Sequence, residues 1–176
     1  AALRETGAAT TIALKACCVG RVVGLEPEPG RDRMLVEGLP DAWIEDAGLN
    51  AATRPVLSPH RERLTWDAPL ESLADITALE CEPRCINIKP SRFGTVRELF
   101  AVYDHLAERG IDAYGGGQFE LGPGRGQIQY LASLFHPDGP NDVAPSAYND
   151  PQPPADLPRS PLEPAVASAG FRWGAS

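Results

Sequence analysis

Residues Ala42–Lys89, AWIEDAGLNAATRPVLSPHRERLTWDAPLESLADITALECEPRCINIK, decide the expected fold. They hold three short apolar runs, Ala42–Asp46 (AWIED), Leu64–Asp67 (LTWD) and Cys85–Lys89 (CINIK), each ending on a charged residue. Between them lie helix-compatible stretches. Thr53–Arg63 carries two prolines near its start, and in Ser72–Glu80 the Ser72 side chain offers an N-cap with Asp75 at the capping-box position. Short apolar runs alternating with amphipathic ones predict βα units and a parallel sheet, so the fold class is α/β. Glu45, Asp67 and Lys89 end their strands at an equal spacing of 22 residues, roughly the length of one βα unit in a barrel. Equal phase predicts that all three face one mouth, with residue types that suit a metal-plus-base site. Taken singly, each is also the ordinary polar residue that ends a strand where solvent begins.

The same alternation extends in both directions. Upstream, Thr10–Lys15 (TTIALK) reads as a strand and Arg31–Leu39 as a helix closed by Pro40. Downstream, Thr95–Arg109 (TVRELFAVYDHLAER) is the clearest helix, with Thr95 as N-cap, Glu98 completing a capping box and Gly110 as the stop. Its apolar residues Val96, Leu99, Phe100, Tyr103 and Leu106 fall on one stripe. Asp112–Gly117 reads as a strand ending in three glycines, Gly126–Phe135 as a second amphipathic helix, and Asp142–Pro145 as a last short strand. From Ser146 onward the prolines forbid regular helix or central strand. The chain therefore divides into an α/β portion over 1–145 and a Pro-rich tail over 146–176, the tail either an extended wrapper or partly disordered.

A net charge of −8 over 176 residues argues against nucleic acid or an anionic membrane as the main partner. No apolar run approaches the length of a transmembrane helix. The apolar-leaning stretch Ala1–Gly20 is interrupted by Lys15 and lacks a basic lead, so it does not read as a signal peptide, and a cytoplasmic location is expected. The cysteines, Cys17-Cys18 and Cys81 with Cys85, form no C-x2-C pair; free thiols are the expectation, with a zinc module or disulfide framework as the alternative. His60, His105 and His136 read as structural.

Four segments carry a family resemblance. Ile86–Gly94 (INIKPSRFG) is similar to the N-x-K-P-x-R-x-G segment of the muconate-lactonising and o-succinylbenzoate synthase branch of the enolase superfamily. Gly115–Arg125 (GGGQFELGPGR) resembles that branch's G-G-x-x-E-x-G-x-G-R loop, while Trp43–Asp46 and Trp66–Asp75 look like its second and third metal-ligand strands. The resemblance implies a partial (β/α)8 TIM-type barrel of about six βα units. It also implies a lyase or isomerase in which Mg2+ assists abstraction of the proton α to a substrate carboxylate, through an enediolate. By position, Glu45 and Asp67 would hold the metal, and Lys89 would be the base or the cation that stabilises the enediolate. Gly115, Gly116, Gly117 and Glu120 would line the substrate pocket, with Asn87 and Arg92 as supporting residues behind it.

The sequence departs from that pattern in specific places. Ala13 aligns with the first metal-ligand Asp, which implies weak or absent Mg2+ binding. A second catalytic lysine strand and the family's capping domain would fall before Ala1. Open sheet edges in a partial barrel then imply a homo-oligomer or association with a missing N-terminal portion. A small-molecule carboxylate is the implied substrate. The alternative is a catalytically inactive homologue acting as a binding or structural subunit.

Overall fold

The computed structural model describes the backbone of residues 13–15, then residues 26–118, 120, 123–142, 151–152, 155 and 161–164. The chain forms two compact units, Ala1–Ile86 and Asn87–Ser176.

In the first unit, strands β1 (Ala13–Lys15), β2 (Trp43–Glu45) and β3 (Leu64–Thr65) make a three-stranded sheet in the order β1-β2-β3. Both pairings are parallel, as the βα alternation predicts, with Lys15 opposite Glu45 and Glu45 opposite Thr65. Helix α1 (Pro29–Gly38) starts two residues earlier than the sequence suggests. Glu28 accepts the N–H groups of Gly30 (2.8 Å) and Arg31 (2.6 Å), and Pro29 suits the first helical position. Those amide contacts hold the Glu28 carboxyl below its ordinary pKa.

The stretch 53–63 splits into helix α2 (Arg54–Leu57) and a 3-10 segment, Ser58–Arg63. Arg63 closes that segment against the end of α1: its guanidinium donates to the carbonyls of Ala42 (2.9 Å), Val36 (3.2 Å) and Leu39 (2.7 Å). Two of these are carbonyls that the end of α1 leaves without helical partners. Helix α3 (Leu73–Thr77) is capped by Ser72 as anticipated, with Ser72 Oγ 3.3 Å from the Asp75 N–H. Ile44, Leu57, Leu64, Leu70 and Ile76 form the buried apolar interior.

The boundary between units falls within strand β4 (Cys85–Ile88), which pairs with β5 (Asp112–Gly115) in a separate two-stranded sheet. Helix α4 (Val96–Arg109) has the full capping box: the Thr95 hydroxyl accepts the Glu98 N–H and Glu98 accepts the Thr95 N–H at 2.7 Å. Gly110 ends it at φ +64, a left-handed conformation that favours glycine. The buried face comprises Leu99, Val102, Tyr103 and Leu106, while Val96 is 58% exposed and belongs outside the stripe. Helix α5 (Pro123–Phe135) begins on a proline three residues before the expected start. Asp142 makes an isolated parallel bridge to Gly116; residues 143–145 of the expected last strand lie outside the described residues. Within the tail, Leu162 packs on Ile128 and Ala132 of α5 and donates its N–H to Pro137 O at 3.0 Å.

The barrel expectation is overturned. The described strands form two separate short sheets, and the described residues make no TIM-type barrel. Alternating βα texture is a local property, whereas closure needs each strand to present a long ladder to its neighbour. Here β3 contributes two residues. The next amides, of Asp67 and Ala68, are taken by the Asp46 side chain rather than by a strand. With no barrel, the inference that Glu45, Asp67 and Lys89 share one mouth lapses. No helix among the described residues is long and apolar enough to cross a membrane.

A buried polar chain ties the second unit together. Tyr103 Oη lies 3.0 Å from His136 Nε2, and His136 Nδ1 lies 2.8 Å from Asn141 Oδ1. Asn141 Oδ1 also accepts the Gly115 N–H at 2.6 Å, and its amide nitrogen donates to His136 O at 3.0 Å. The tautomer is assigned from these bonds. Since Asn141 Oδ1 is an acceptor, His136 Nδ1 carries the proton and Nε2 accepts from the tyrosine hydroxyl. Burial lowers the His136 pKa, against the opposing pull of Asn141, and raises that of Tyr103.

A histidine whose folded pKa is depressed contributes stability that is complete above its unfolded value, near 6.5. That contribution declines as pH falls from there through the lower folded value. Urea unfolding of the native chain and of H136Q between pH 7.5 and 4.5 tests this. The stability difference should shrink on acidification, with a slope of at most about 1.4 kcal/mol per pH unit; a pH-independent difference would show that His136 is not held neutral.

Candidate functional site

Strand β2 places Glu45 at its last residue and turns sharply at Asp46, whose φ of +56 lies in the left-handed region. Aspartate tolerates that region better than most side chains. The turn aims its carboxylate at the end of β3. Asp46 Oδ1 accepts the N–H groups of Asp67 (2.7 Å) and Ala68 (3.1 Å), Oδ2 also lies 3.1 Å from the Ala68 N–H, and the Asp46 N–H donates to Thr65 O at 2.9 Å. These bonds bring three buried acids together: ligand oxygens of Glu45, Asp46 and Asp67 lie within 4.8 Å of one another.

Buried carboxylates this close repel one another unless a proton or a cation intervenes. Their oxygens are hard donors of the kind that Mg2+, Mn2+ or Ca2+ take. Asp46 accepts amides at both oxygens, and a carboxylate offers about four acceptor positions in all. The donor set therefore fits a divalent ion. Asp46 is the member that sequence reasoning missed, although the Glu45-Asp46 doublet at a strand end was a usable signal. Ala13, aligned by sequence with an absent first ligand, pairs with Trp43, and Lys15 is the residue in register with Glu45.

In the second unit, Lys89 follows β4 and is 6% exposed. Its ammonium nitrogen donates to Gly117 O at 3.1 Å. Gly116 hydrogen-bonds Ile88 O at 3.0 Å through its N–H, which holds its Cα against Lys89 and the buried Asn87. A methyl group added to Gly116 would lie 2.6 Å from Asn87 Oδ1 and would run into Lys89 Nζ. Any side chain here would force the Lys89 or Asn87 side chain to move, a constraint of close approach and not of turn geometry.

Glu120 closes the same region: Oε2 accepts the Gln118 N–H at 2.5 Å and Oε1 accepts the Ser91 hydroxyl at 2.9 Å. A methyl group on Gly117 would come within 3.0 Å of Glu120 Oε2. Gly115 binds the Asn141 side chain through its N–H and so serves the buried polar chain rather than a pocket. Arg92 ends a 3-10 turn, Pro90–Arg92, half-buried, with its own N–H donating to Lys89 O at 2.9 Å. Thus Lys89, Asn87, Gly116, Gly117 and Glu120 gather in the second unit, while Glu45 and Asp67 gather with Asp46 in the first. Ser91 is a further member that the sequence did not suggest. Cys81 and Cys85 are free thiols; Cys17 and Cys18 lie outside the described residues.

The fold is thus α/β, built from short parallel strands with carboxylates at one strand end and a buried lysine at another. The chain belongs to the family described as Domain of unknown function (DUF8230) C-terminal domain, which matches residues 1–150. That family is unrelated to the enolase superfamily, so the four-motif resemblance is corrected. Its motifs are short strand ends followed by Gly- or Pro-rich turns, a texture that any βα unit can carry. No curated protein matches the chain.

The close approach at Gly116 is testable. G116A should lower stability by about 1–3 kcal/mol, the usual cost of forcing atoms into a packed site, and should shift the Lys89 side-chain signals in NMR spectra. G126A, where an added methyl meets nothing within 4 Å, should be neutral or stabilising by up to about 1 kcal/mol. Equal effects from the two substitutions would contradict the packing described.

Proposed function

We propose that this chain is a Mg2+-dependent lyase or isomerase that removes the proton α to the carboxylate of a small-molecule substrate. The observation that carries this reading is the buried group of Glu45, Asp46 and Asp67, whose oxygens converge within 4.8 Å. Glu45 and Asp67 would hold the ion, with Asp46 fixing the backbone that presents Asp67. When bound, the ion would take the substrate carboxylate and offset the charge that builds on its oxygens.

Lys89, in the second unit, is a separate acid–base candidate, and the metal reading does not rest on it. Its buried position in the second unit, tethered to Gly117 O, limits the orientations open to its amine. Glu120 and Gly117 shape the surroundings of that amine. The reading places the protein in the cytoplasm, supported by the free thiols of Cys81 and Cys85. A second reading, a non-catalytic binding or structural chain, is favoured by the engagement of Asp46 with backbone amides.

Titration with Mn2+ as a paramagnetic stand-in for Mg2+ separates the two. Catalysis predicts one bound ion, lost by at least tenfold in affinity in E45Q and in D67N. It also predicts Mg2+-dependent deuterium uptake at the α-carbon of a carboxylate panel that E45Q and D67N lose. Absence of a bound ion in the native chain would defeat the catalytic reading and leave the structural one.

A further inference from the structure

We propose that a cavity in the first unit binds a small organic ammonium ion. The cavity encloses 540 Å3, within the range of roughly 300–1,000 Å3 typical of small-molecule sites. Its walls include Trp66, Leu49 and Leu79, and its acidic members are Glu26, Asp46 and Glu80. Among the described residues that line it there is no lysine, arginine or histidine. Glu80 is also ion-paired with Arg54, which lies outside the lining.

The sign of the charge decides the ligand class. An anion would leave water for walls whose described side chains bring three carboxylates and no cation of their own, a costly transfer. An uncharged apolar molecule would satisfy the aliphatic wall but would strip water from the acids without compensation. An ammonium ion with an apolar body meets both demands, since its charge is matched by the carboxylates and its alkyl groups by the leucines. Trp66 at the wall contributes an aromatic ring, a group that attracts cations. The Asn50 carbonyl oxygen, also at the wall, is already engaged by the N–H groups of Ala52 (2.8 Å) and Thr53 (3.0 Å). Asp46 likewise receives two backbone amides and Glu80 pairs with Arg54, so the exposed Glu26 and Glu80 carry the polar recognition, with Asp46 adding charge behind them.

This site does not depend on the metal reading, although Asp46 belongs to both groups. The test uses choline, its uncharged carbon isostere 3,3-dimethyl-1-butanol, and the anion 3,3-dimethylbutanoate, each titrated into the full chain by NMR. Choline should bind at least about tenfold more tightly than the alcohol, and the butanoate should not bind. Glu26 and Glu80 are both exposed, so E26Q/E80Q should fold; it should weaken choline several-fold and leave the alcohol unchanged. D67N, which removes a proposed metal ligand, should retain choline binding, so failure of one proposal is distinguishable from failure of the other. Equal binding of choline and the alcohol, preference for the butanoate, or choline affinity unchanged in E26Q/E80Q would each overturn the assignment.

Discussion

Much of the first unit depends on the two backbone amides that the Asp46 carboxylate receives. A carboxylate taken out of water is costly unless hydrogen bonds replace its hydration. Asp46, 4% exposed, has that replacement from the N–H groups of Asp67 and Ala68, while its own N–H binds Thr65. Charge-assisted bonds of this kind are among the stronger ones available. The left-handed turn at Asp46 is what lets the side chain reach forward, past the last backbone pairing of β2 and β3. Glu45 and Asp67 are neighbours because β2 pairs with β3, and the Asp46 side chain fixes the chain just past that pairing.

The same interaction explains why the sheet is small. Amides that point into a carboxylate cannot extend a strand ladder, so β3 ends after Thr65 and the chain enters the turn at Asp67–Leu70. The second unit shows a parallel economy of a different kind. There the fixed point is a neutral hydrogen-bonded chain, Tyr103–His136–Asn141, which reaches the backbone of β5 at Gly115. Beside it, Gly116 brings main chain against Lys89 and Asn87 closely enough that an added side chain would displace theirs. In both units a buried polar group is held by backbone, which gives it one orientation.

Local chemistry was legible in the sequence and long-range closure was not. The capping box of Thr95 and Glu98, the Ser72 cap and the Gly110 stop all follow from short-range rules and appear where those rules place them. Prolines at 29 and 123 were underused signals, since each begins a helix earlier than the apolar periodicity suggests. The 22-residue spacing correctly marked Glu45 and Asp67 as neighbours, but equal spacing cannot say whether strands join one sheet. Reading Leu64–Asp67 as a full strand overlooked that an aspartate directly after β2 could compete for its amides. Short motifs at strand ends then suggested a family to which the chain does not belong.

Residue-resolved amide hydrogen exchange at Asp67 and Ala68 tests the central claim most directly. With Asp46 holding both N–H groups, these amides should be protected although they lie beyond the end of β3. In D46A their exchange should accelerate by at least a hundredfold relative to Ile86 and Ile88 in β4. Fast exchange at both positions in the native chain, or protection that survives D46A, would contradict the account.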